Sequence, residues 1–240
     1  MNFTLISRER IIYLKRKNNS MSATRESVEA ILKKSPYASS NQPTLEAYVD
    51  AQAAGQAPYY MDANRSLLKL YQFFPQKSSD DKVALILLLA LLEFPSTDLL
   101  ACRYLVPDRI QKAEPCSAIL SCASLLEACK FTEFWPAFTS LDGGSALKTL
   151  VGASTEKMQR AILDVLALTY RTASLSTVLE ALNMKSGDEL SKLSQPCVEA
   201  IDGNFVRFAA SADNTKRSRV FQEGVNYSVI SAMMAKVSSE

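Results

Sequence analysis

The side chains best suited to chemistry here are five cysteines and two adjacent acid pairs, Asp80-Asp81 and Asp188-Glu189. What they lack is a partner base, because the 240 residues contain no histidine. Without imidazole no Ser-His-Asp or Cys-His nucleophile can be assembled, and neither a metal-binding HExxH helix nor a Cys2His2 finger exists. General acid-base work near neutrality would need a carboxylate, lysine, tyrosine or cysteine with a strongly displaced pKa. Only 7 glycines occur, and neither GxxxxGK[ST] nor GxGxxG appears, so phosphate-cradling loops are absent. Both acid pairs stand where helix starts are expected, and carboxylates favour helix amino ends. Composition therefore favours a scaffold or binding module over an enzyme, with no catalytic, cofactor or metal residues.

Cys102, Cys116, Cys122, Cys129 and Cys197 are odd in number and form no CxxC pair. Cys122 and Cys129 are seven apart in a helical-looking stretch, so they are expected to share a helix face. The expected role is small buried apolar side chains in a reducing compartment.

These residues need elements to position them, and 48% hydrophobic content is enough for a sizeable core while 22% charge is ordinary for a globular chain. The charge is unevenly spread. Of 27 basic and 25 acidic residues, Arg8, Arg10, Lys15, Arg16, Lys17 and only Glu9 lie in Met1–Ser20, so that leader carries +4 and the remainder −2. Residues 1–21 are expected to be a basic disordered leader or an upstream start, rather than a targeting signal. Met21-Ser22-Ala23-Thr24 looks like a natural beginning.

From Ser22 to about Tyr170 the pattern is helix after helix. Thr24 or Ser22 caps a segment through Val28, Ile31 and Leu32 that stops before Pro36. Asn41-Gln42-Pro43 opens the next, carrying Leu45, Tyr48, Val49 and Gln52 at helical spacing. Met61 to Tyr71 forms a third, ended by Phe74-Pro75. Ser78–Asp81 precedes the run Val83–Leu92. As a helix those ten residues span about 15 Å, half a bilayer core, so the segment is expected to be central and covered on all sides rather than membrane-spanning. Further helices are expected after Thr97, Pro115 and Ser154. Phe131, Phe134, Trp135 and Phe138 share one face despite Pro136, and core is the expected use. No strand is convincing in this stretch, and no repeat period is legible.

After Tyr170 the order becomes helix, helix, hairpin. Ser174 caps Leu175–Leu182, and Asp188–Leu193 follows. Ile201-Asp202-Gly203-Asn204-Phe205-Val206-Arg207-Phe208 then reads as a hairpin, with Phe205–Phe208 the clearest strand. Counted from the helix at Ser154, this is the order of a winged helix. Asn214–Arg219 reads as a basic loop, and Tyr227–Val237 as a terminal helix. The expected architecture is mainly α: a HEAT-like helical stack over 22–153, a small α+β winged helix over 154–212, and a basic loop with an assembly helix over 213–240. The expected partner contacts are Ile201, Phe205 and Phe208 on the hairpin, and Val229, Ile230, Met233, Met234 and Val237 on the terminal helix. Lys185, Lys192, Arg207, Lys216, Arg217 and Arg219 are the candidate RNA contacts, as a weak binding patch; a solvated face is the plainer account.

Thr44-Leu45-Glu46-Ala47-Tyr48-Val49-Asp50-Ala51-Gln52, then Asp62-Ala63-Asn64, then Leu67-Leu68-Lys69-Leu70-Tyr71-Gln72-Phe73 closely resembles the subunit-K family of eukaryotic translation initiation factor 3, whose pattern there runs TLExYVxxQ, EAN, LKLYQFNP. Leu125-Leu126-Glu127-Ala128-Cys129 with Phe131 and Phe134-Trp135 holds the register, as do Thr169-Tyr170 and Val229–Met234. Phe74 stands where that pattern commonly has asparagine. The family is one of the PCI-type scaffold subunits, which also build the proteasome lid and the signalosome; those related assemblies, and a winged-helix RNA-binding module, are the alternatives. The resemblance implies a non-catalytic cytoplasmic subunit, without cofactor or membrane contact. Its complex binds the small (40S) ribosomal subunit and supports preinitiation complex assembly and mRNA recruitment. The resemblance also implies subunits L and E as neighbours, L the chief one.

Overall fold

A computed structural model of the chain describes residues 24–193, 197–215 and 227–238. The leader over 1–21, Pro196, and Lys216, Arg217 and Arg219 of the candidate basic loop lie outside the described residues.

The chain begins with α1 (Arg25–Lys34), where the Thr24 hydroxyl accepts a hydrogen bond from the Ser27 amide at 3.4 Å. A 3-10 turn at Ser39–Asn41 leads into α2 (Gln42–Ala53), with Pro43 in its first turn, where a missing N–H costs nothing. Then come α3 (Met61–Phe73), a 3-10 turn at Pro75–Lys77, and α4 (Asp80–Leu91). Every residue from Val83 to Leu92 is buried, and α4 packs against α2, α3, α5 (Asp98–Leu105) and α7 (Cys116–Glu127). The central position expected of this run is thus observed. The short α6 (Asp108–Gln111) lies between α5 and α7.

Next, α8 (Phe131–Thr139) buries Phe131, Phe134, Trp135 and Phe138 as a packed aromatic face, with Pro136 inside the helix. It is followed by α9 (Ser145–Ala153) and α10 (Thr155–Thr169). Sequence reading passed over α9: nine residues between Gly144 and Ser154, one of them Gly152, give a weak local signal. Its helix depends on burying Leu147, Leu150 and Val151 against α2, α8 and α10.

The remainder adds β1 (Thr172–Ser174), α11 (Leu175–Leu182), α12 (Gly187–Leu193), β2 (Val198–Asp202), β3 (Phe205–Phe208) and α13 (Tyr227–Val237). The three strands form an antiparallel sheet in the order β1-β3-β2. Its hairpin turns at Gly203-Asn204, where Gly203 has φ 58, a left-handed conformation that glycine adopts without a Cβ clash. Three residues are too few for β1 to show an alternating pattern, so it was not legible beforehand.

One core cluster runs from Val28 through α4 to Val206 and Phe208. It passes across position 153 without a break. Trp135 in α8 donates its indole N–H to the Ala181 carbonyl of α11 at 2.8 Å, and Gln159 in α10 donates to the Leu182 carbonyl at 3.0 Å.

Candidate assembly surface

The conspicuous surface feature is α13. Val229, Ile230, Met233, Met234 and Val237 recur at the three- and four-residue spacing of an apolar helix face, yet every residue of the helix is exposed. Met233 is 66% and Val237 75% exposed. Within the described residues α13 buries nothing.

The hairpin divides differently. Along β3 the burial alternates, so Phe205 and Arg207 face outward while Val206 and Phe208 face the core. Phe205 is 57% exposed and open to contact. Phe208 is fully buried, which corrects its reading as a contact residue: period two places it with Val206 rather than with Phe205. Ile201 is half-buried, paired with Val206.

Of the candidate cations, Lys185, Lys192 and Arg207 lie among the described residues. Arg207 is held by Asp202 at 3.0 Å across the hairpin. Lys185 is exposed just before α12, its backbone N–H donating to Glu189, and Lys192 is exposed in the last turn of α12. The acid pairs behave as helix starts: Asp80 and Asp81 lie in the first turn of α4, Asp188 and Glu189 in that of α12. Among the described residues no group of three or more acidic or cysteine side chains is placed to hold a metal ion.

The cysteines split as well. Burial pushes the Cys102 thiol up to about 12, and the Cys116 and Cys122 thiols up to about 11. Such thiols are poor nucleophiles. Cys197 is also raised to about 11, by burial and then by the hydrogen bond its thiol donates to Asp164. Cys129 is exposed, against expectation. Helix α7 ends at Glu127, and Cys129 follows it with φ 55, so the seven-residue spacing from Cys122 does not run along one helix.

The segment that carries the family resemblance works inside the fold. Gln52 and Asn64, both buried, bond side chain to side chain between α2 and α3 at 2.9 Å, while the Gln52 side-chain Oε1 also accepts from the Tyr60 backbone N–H at 3.0 Å. Tyr71 donates to Glu46 at 2.8 Å, and Gln42 donates to Glu46 and to the Lys77 carbonyl, each at 2.9 Å. Burial, and then the bond to Glu46, raises the Tyr71 hydroxyl far above its ordinary pKa. These are clasps between helices, not contact residues.

Sequence reading missed the concavities. One is a cleft of about 450 Å3 lined by Phe131, Val165, Leu166, Tyr170, Ala173 and Val178, where α8, α10, β1 and α11 meet. Its lining comes from four separate elements, so no local pattern announces it.

Comparison with known proteins gives this surface a context. The sequence profile of the CSN8/PSMD8/EIF3K family matches residues 77–217. The chain is similar to the human protein named eukaryotic translation initiation factor 3 subunit K, with 30% identity over 199 residues, covering 83% of this chain and 89% of that protein. It is similar to the Dictyostelium discoideum protein of the same name at 32% identity over 178 residues, covering 73% and 69% respectively. Among the described residues no helix is long and apolar enough to cross a membrane.

Proposed function

Because the chain belongs to the CSN8/PSMD8/EIF3K family, we propose that it is a scaffold subunit of the eukaryotic translation initiation factor 3 complex, with no catalytic residues of its own. One observation carries this reading: a helix with a complete apolar face, exposed along its length among the described residues. Buried in an assembly, Val229, Ile230, Met233, Met234 and Val237 would contribute about 1.5–3 kcal/mol each at best. Only the surplus over ordering and desolvation appears as affinity. Phe205 on the hairpin is the second contact.

In this proposal residues 22–153 serve as a HEAT-like stack, supported by the succession of packed helices. Residues 154–212 serve as a winged helix, supported by the helix and strand order around the small sheet. The segment over 213–240 carries the assembly helix. The partners are other subunits of the complex, namely L and E, with L foremost. Through them the protein supports small ribosomal subunit binding, preinitiation complex assembly and mRNA recruitment in the cytoplasm. The test is removal of Tyr227–Glu240 followed by purification of the complex. The truncated chain should be lost from it; undiminished co-purification with subunit L would overturn the assembly role of α13.

A further inference from the structure

We infer that the apolar cleft where α8, α10, β1 and α11 meet is a docking site for α13 of a second copy of this chain, occupied when the subunit is outside its complex. The inference shares with the assembly reading only the premise that α13 is a docking helix. Pairing and assembly use the same face of α13, so one contact excludes the other.

The cleft has a volume of about 450 Å3, with Phe131, Val165, Leu166, Ala173, Val178 and Ala181 as its apolar walls. Thr132 and Glu180, which line it, also line a second concavity of about 520 Å3 that reaches Thr139 and Met184. Together the two make a furrow between α8 and α11 that runs from Ser174 to Met184, the whole length of α11. A furrow between two packed helices accepts the side-chain ridge of a third.

The lining itself selects the occupant. Glu180 is the only charged side chain in either concavity, and it forms no ion pair among the described residues. The flanking cations Lys130 and Arg171 are taken by Glu133 and Glu199, and Lys185 stands past Met184, outside the lining. The furrow therefore suits an apolar helix that carries one basic residue and no acid. Helix α13 is such a helix: its only charged side chain is Lys236. The lengths agree as well. From Ser174 to Glu180 the rise is about 9 Å, and from Val229 to Lys236 it is about 10 Å. Laid parallel to α11 with Lys236 at Glu180, α13 sets Val229, Ile230, Met233 and Met234 over the cleft and Val237 toward the second concavity.

No residue of α13 lines either concavity, and the whole helix is exposed, so its own chain leaves the furrow open. Asn214 donates to the Ala167 carbonyl of α10 at 2.8 Å, next to the cleft wall at Val165 and Leu166. The chain toward α13 thus leaves the body beside the furrow, and two copies can exchange their terminal helices across a two-fold axis. The exchange covers the apolar face of α13 and the apolar cleft at once, both of which a free subunit otherwise presents to water.

The test uses the purified full chain, without other subunits, in analytical ultracentrifugation. A concentration-dependent dimer is expected. Thr132→Arg, at an exposed position in the furrow, and Ile230→Asp/Met233→Asp should each weaken it about tenfold or more. A chain that is monomeric at every concentration, or a dimer that either variant leaves unchanged, overturns the inference. The contact is then mapped through Cys129, which lines the cleft. Oxidation of Ile230→Cys with copper–phenanthroline should join that position on one chain to Cys129 of the other, and Ile230→Cys/Cys129→Ser should lose the bond. A bond within one chain, a bond between two copies of position 230, or no bond at all overturns it. Truncation at Tyr227 judges the assembly reading inside the complex, whereas these readouts need no other subunit, so either can fail alone.

Discussion

Helices α4 and α13 are nearly the same object in sequence: 12 and 11 residues, dominated by aliphatic side chains. Their fates are opposite. From Val83 onward α4 is buried and packs on four neighbours, whereas α13 is exposed along its whole length. The difference is in placement along the chain. Helices on both sides of α4 in the sequence can fold over it, so it becomes the centre of the core. α13 follows the sheet at the end of the described chain, with its apolar face left for something else. An apolar helix thus marks a demand for burial, and the fold decides whether the chain or a partner meets it.

That contrast can be broken or sharpened by substitution, and the largest effect belongs to α4. Ile86→Asp places a carboxylate where the side chain is fully buried. It is expected to cost more than about 4 kcal/mol and to abolish the folded state, seen as loss of the cooperative thermal transition. Leu88→Ala, which only leaves a cavity, is expected to cost about 2–5 kcal/mol in a denaturant titration.

Gln52→Ala tests the clasp that frames this core. It strips partners from Asn64 and from the Tyr60 amide, with an expected loss of about 1–3 kcal/mol. Smallest in stability is Ile230→Asp/Met233→Asp in α13. It is expected to move the unfolding free energy by no more than about 0.5 kcal/mol, as surface changes do, while expelling the chain from its complex. Were this double variant as destabilising as Leu88→Ala, α13 would be a core helix and the comparison would collapse.

Thiol labelling of the native protein offers a further reading of the same inside-outside division. Cys129 should react fast and Cys102, Cys116 and Cys122 only on unfolding, because burial shields those three and raises their pKa values.

Much of this was legible beforehand where the chemistry is local. Thr24 and Ser174 cap helices through their own hydroxyls, Pro43 fits a first turn, and Gly203 permits a tight hairpin. The run Val83–Leu92 announced a buried helix because no exposed face could be drawn on it. Where the determinant is another part of the chain, the sequence was silent. α9, which carries Gly152, and the three-residue β1 give too weak a local signal to announce themselves. Phe208 and Phe205 look alike until strand period and sheet face separate them. Cys129 looks like Cys122 until the helix is seen to end at Glu127.

By itself, then, the sequence determined that this protein is a mainly helical chain lacking the histidine and glycine motifs of common catalytic sites, and it carried the residues that place it among the initiation-factor subunits. Those conclusions rest on residue types and near-neighbour spacing, which need no third dimension. Only the tertiary structure decided which apolar faces are spent inside and which remain. It closed Gln52, Asn64, Glu46 and Tyr71 into internal clasps, left α13 uncovered, and set Glu180 beside a cleft whose walls come from α8, α10, β1 and α11. Burial is a property of the whole packed chain, so no window of residues can report it.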